Sequence, residues 1–140
     1  MRSSILALSI LLVLSAAAHA ADSGQESAPE HKVTQSESYI MLEPMYATIM
    51  DGERAGGMLM VAIGVDIPDP QLRAEAQRAM PVLRDALVRS VMAFAWTHVR
   101  VAEQPDVIAL AGRLQRVTDR VLRRKGAQVL LAQVACRVMN

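Results

Sequence analysis

The chain has 140 residues, room for one domain and too few for two. With 52 % hydrophobic and 21 % charged residues it is globular rather than disordered, and a net charge of +1 gives it no global field to gather nucleic acid. A single cysteine excludes an internal disulfide and a zinc cluster built on paired cysteines.

The N-terminus carries an export pattern. Arg2 is followed by the apolar run Ile5 to Ala18, and Ala18-His19-Ala20 matches a small-x-small cleavage site. The run is 14 residues long, against roughly 20 for a bilayer span, so residues 1–20 read as a signal peptide, with an uncleaved anchor as the alternative. Of the 15 basic residues one, Arg2, falls in this leader, so the remainder balance the 14 acidic ones. Residues 21–38, polar and without an apolar period, read as a flexible linker to a domain spanning 39–140.

The domain opens on Tyr39 to Met50, rich in Ile, Tyr, Met and Thr and therefore extended. Pro44 within it cannot donate to a ladder, which predicts an edge strand or a bulge. Asp51 to Gly57 reads as a hairpin loop. The next run, Met58 to Ile67, alternates: Leu59, Val61, Ile63, Val65 and Ile67 form the expected core face, and Met58, Met60, Ala62, Gly64 and Asp66 the other. Surplus methionine in this region reads as filler, or as a protein-binding surface if a Met-lined sheet face is exposed.

Pro68-Asp69-Pro70 stops the strand, with Asp69 as N-cap and Pro70 at the first helical position. One amphipathic helix then follows, its stripe running through Leu72, Ala76, Ala79, Met80, Leu83, Leu87, Val91 and Phe94. Pro81 lies opposite that stripe, where it can kink or restart the helix without breaking the buried register. A second helix starts at Pro105-Asp106 and buries Val107, Leu110, Ala111, Leu114, Val117, Thr118 and Val121. Arg123, Arg124 and Lys125 complete its last turn before Gly126. Ala127 to Met139 reads as a closing strand with Leu130, Ala132, Val134, Cys136 and Val138 on one face. The expected fold is α+β: a three-stranded sheet with two amphipathic helices on one face, in the order β-β-α-α-β.

The candidate chemistry is thin. Arg84 borders the apolar stripe and Asp85 points away, so the adjacent pair is not a bonded one, and Asp85 is placed to meet Arg89 as an i,i+4 contact. A catalytic Asp85 would need a partner acid, base or metal ligand, and none stands at a suitable spacing. His31, His98 and Cys136 compose neither a nucleophile triad nor a metal site. His98 is expected on the surface, and Cys136 as a buried, inert thiol, with an intermolecular disulfide as the other reading. No catalytic, cofactor or metal site is expected. Arg113, Arg116, Arg120, Arg123 and Arg124 recur at i, i+3, i+7, i+10 and i+11 as a basic ridge, read either as a solvated face or as a dock for an acidic partner or anionic headgroups.

Taken in order, Tyr39-x-x-Leu42-x-Pro44, a glycine-bearing hairpin, an apolar strand, Asp69-Pro70 and then Pro81-x-x-Arg84-Asp85 resemble the periplasmic domain of the FliL family of flagellar basal-body-associated proteins. The resemblance spans roughly Tyr39 to Met139 and rests chiefly on the Pro81, Arg84, Asp85 spacing. It implies a stomatin-like domain without enzymatic activity that assembles with its own copies and contacts the motor's stator units in support of motility. It also implies a periplasmic location at the inner membrane beside the flagellar base. Matching interaction positions are Pro81, Arg84 and Asp85, with Leu83 and Leu87 as packing neighbours. A general envelope scaffold or small binding module of the same fold is the alternative.

Overall fold

The computed structural model describes residues 36–139. The leader and nearly all of the linker expected from the sequence lie outside the described residues. The elements run β1 (Tyr39–Met41), β2 (Met45–Asp51), β3 (Arg54–Asp66), α1 (Pro70–Arg78), α2 (Met80–His98), α3 (Val107–Leu122) and β4 (Gln128–Val138). The class is α+β with an antiparallel sheet, as expected. Among the described residues the counts differ: four strands rather than three, and three helices rather than two.

Proline accounts for both differences. β3 is the central strand; β1 and β2 pair with successive stretches of it, and β4 pairs with it as well. β1 and β2 are thus one edge path interrupted at Leu42–Pro44, where Pro44 cannot donate a ladder bond. Leu42 still bonds Ile63 across the gap, its N–H donating to the carbonyl oxygen at 3.0 Å. The helical break has a similar cause. A helix continuing through Pro81 would set its ring against the carbonyl of Gln77, four residues back. The chain instead ends α1 at Arg78, turns at Ala79 (φ −86°, ψ 1°) and restarts at Met80, with Pro81 in the first turn of α2.

The hairpin is tighter than the glycine run suggests. β3 begins at Arg54, and only Gly52 and Glu53 separate it from β2, with Gly52 at φ 62° supplying the left-handed turn. Asp69 caps α1, accepting from Gln71 N–H at 2.9 Å, and Asp106 caps α3, accepting from Ala109 N–H at 2.9 Å. At its far end α3 stops at Leu122. Arg123 takes the left-handed cap position (φ 54°), so Arg123, Arg124 and Lys125 lie beyond the helix rather than in its last turn.

All three helices cover one face of the sheet. The expected core strand face is fully buried: Leu59, Val61, Ile63, Val65 and Ile67 are each 0 % exposed. Leu72, Leu83, Leu87, Val91, Phe94, Leu110 and Leu114 meet it from the helices. Each such side chain contributes about 1.5–3 kcal/mol on burial. Val107, expected inside, is exposed at the start of α3. Gln115 ties α3 to β4: its amide donates to Ala127 O at 2.7 Å and accepts from Val129 N–H at 2.8 Å.

β4 departs from its expected face. Ala62 pairs with Gln133 but Ile63 pairs with Leu131, so Ala132 is an extra residue in the strand. The bulge reverses the alternation. Val129 and Leu131 share the helix-side face before it, and Val134, Cys136 and Val138 share it afterwards, while Leu130 turns to the opposite face. Cys136 therefore lies opposite fully buried Leu59, towards the end of β4 and beside the open groove before α3. It is exposed, not the buried thiol expected from the strand pattern.

Candidate functional site

The residues singled out by the sequence divide among three places. The first is the turn between α1 and α2. Arg84 forms an ion pair with Glu43, which sits in the break between β1 and β2. Asp85 pairs with Arg89, one turn on, as the spacing predicts. Arg84 and Asp85 do not bond each other. The Leu42-x-Pro44 and Pro81-x-x-Arg84 stretches, distant in sequence, thus meet at one corner of the domain. Both ion pairs are solvent-exposed, so each contributes only ~0.2–1 kcal/mol and leaves its partners accessible.

α2 continues this corner into an exposed face. Pro81, Asp85, Arg89, Met92 and Trp96 recur at three- and four-residue steps along the side away from the sheet, and all are exposed. Trp96, the sole tryptophan, is 67 % exposed, and Met92 beside it is 49 % exposed. With Ala93 and Thr97 they line a shallow hollow of about 360 Å³. Aromatic and Met side chains are enriched at interface cores, so a half-open Trp–Met pair is a natural anchor. Sequence reasoning missed these two because it followed the buried stripe. The available signal was two large apolar residues lying off that stripe.

The second place is the groove between α2 and α3. Arg113, Arg116 and Arg120 do not form a ridge facing solvent alone; they line this groove of about 410 Å³ together with Arg89 and Ser90. Arg113 Nε donates to Ser90 Oγ at 3.0 Å, and Ser90 is buried. Arg124 departs from the series and pairs with Asp69 at 3.0 Å and with Glu75 at 3.8 Å, clamping the end of α3 to α1. Arg123 is exposed at the helix cap. The five arginines grouped by spacing are therefore three groove residues, one clamp and one cap.

The third place is the face of the sheet that carries no helix. Met41, Tyr46 and Met58 are exposed there, while Met45, grouped with them by composition, is buried on the helix side. Part of this face is covered from within, since Tyr39 lies directly over Gly64, where a Cβ would come within 2.0 Å of the ring. Cys136 belongs to the other face, beside Gln104, Pro105 and Val107. Partial burial pushes its thiol up from the ordinary value, which lowers its reactivity at neutral pH. His98, exposed as expected, stacks on Phe94 with ring centroids 5.0 Å apart.

Among the described residues no group of three or more His, Cys, Asp or Glu is placed to hold a metal ion, and no helix is long and apolar enough to cross a membrane. Comparison with protein-family models and with curated proteins finds no match for the chain.

Proposed function

We propose that this chain is a non-enzymatic accessory of the flagellar basal body, acting from the periplasm at the inner membrane. It associates with its own copies and contacts motor or stator proteins. The reading rests on the resemblance of Tyr39 to Met139 to the FliL family and on the export pattern of the first 20 residues. The observation that carries it is the outer face of α2, where Trp96 and Met92 stand exposed in line with Pro81, Asp85 and Arg89. An exposed apolar anchor continued along the helix by charged residues fits a protein contact better than an active site. Glu43 and Arg84 stiffen the corner from which that face begins.

The test in cells is direct. Deleting the gene is expected to reduce swimming or swarming, and restoring it with Trp96→Ser and Met92→Ser is expected to leave the defect in place. Normal motility in the deletion strain contradicts the flagellar role. Tagged protein spread evenly around the envelope favours a general envelope scaffold instead.

A further inference from the structure

We propose that the groove between α2 and α3 is a binding site for a phosphate group, either a soluble phosphate ester or the phosphate of an anionic headgroup. Three observations support it. First, Arg113, Arg116 and Arg120 place three guanidinium groups in one concavity with Arg89, whose charge is balanced by Asp85. Among the described residues no carboxylate pairs with Arg113, Arg116 or Arg120. Second, the one acid within the series, Asp119, is turned away and accepts from Gln115 at 2.8 Å on the β4 side of the helix. Third, Ser90 on the groove floor orients Arg113 through Nε, which leaves the terminal amino groups of that guanidinium directed elsewhere.

A solvated helical face does not require this arrangement. Like charges crowded in a concavity repel one another, and a bound dianion relieves that repulsion. Guanidinium forks match phosphate oxygens in a paired geometry, which a serine hydroxyl at the base can complement. The groove volume of about 410 Å³ falls within the usual range for small-ligand sites. The inference does not depend on the flagellar reading, because it concerns purified protein and rests on the arginines of α3, with Arg89 bordering both surfaces.

Calorimetric titration of the full chain with inorganic pyrophosphate tests it, joined by sedimentation with vesicles of phosphatidylglycerol or of phosphatidylcholine. Saturable pyrophosphate binding is expected, weakened roughly tenfold or more by Arg116→Gln with Arg120→Gln and unchanged by Arg123→Gln. Capture on phosphatidylglycerol vesicles that pyrophosphate reverses identifies the headgroup as the source. Pyrophosphate binding without vesicle capture identifies a soluble ester. Absence of pyrophosphate binding, or binding indifferent to the paired substitution, overturns the proposal. Capture of polyglutamate by a chain that ignores pyrophosphate overturns it too and assigns the arginines to an acidic protein.

Discussion

Gly64 and Tyr39 form a pair whose meaning is spatial. On the central strand a glycine weakens the local ladder, yet here its missing side chain makes room for the Tyr39 ring. The ring in turn covers a strand position that has no side chain of its own. Gly64→Val expels the ring, and the expected loss is about 1–3 kcal/mol by urea denaturation. In the Gly64→Val, Tyr39→Ala double variant the total loss should be smaller than the sum of the single losses, since the clash is gone. Simple additivity would mean that the two do not share the site. The alternation of β3 was readable from residue types because every second position is apolar. The Tyr39 contact was not, since it depends on β1 pairing across the Leu42–Pro44 break. Leu130 shows the same limit: one extra residue at Ala132 turns it to the face opposite Val134 and Cys136, which spacing alone does not reveal.

At the scale of elements, Pro81 decides how the long apolar stripe is divided. The stripe itself was legible, and Leu72, Ala76, Leu83, Leu87, Val91 and Phe94 are all buried as their spacing implies. Periodicity continues across a turn that preserves the buried direction, so it does not reveal that two helices share the stripe. The non-helical Ala79 separates them, and its N–H still donates to Glu75 O at 3.0 Å. In the first turn of α2 a missing N–H has little cost, whereas in a helix interior proline costs about 3 kcal/mol. Pro81→Ala is therefore expected to leave stability unchanged or lower it by less than about 1 kcal/mol, through the freer unfolded chain. A gain near 3 kcal/mol by chemical denaturation would show that Pro81 strains a continuous helix.

The α3 arginines carry a related lesson about elements. Their i, i+3, i+7 spacing showed that Arg113, Arg116 and Arg120 share a face, but not that α2 forms the opposite wall. Helix packing converted a ridge into a groove. Arg123 and Arg124 left the series because the helix ends at Leu122, a boundary that the basic run and Gly126 had placed later.

For the whole molecule, the sheet has one helix-covered face and one bare face, and α2 presents its outer side to solvent. The central claim is that this outer side is the surface through which copies of the chain meet. Trp96 is the natural reporter, being the sole tryptophan and 67 % exposed in the single chain. Burying such a residue at an interface contributes roughly 2 kcal/mol or more, about 30-fold in affinity. The most direct measurement is tryptophan emission followed together with sedimentation over a concentration series. The account predicts a blue shift that rises with assembly, and a Met92→Ser variant that assembles about tenfold or more weakly with unchanged circular dichroism. A chain that stays monomeric, or one that assembles while Trp96 emission remains that of exposed indole, would contradict it.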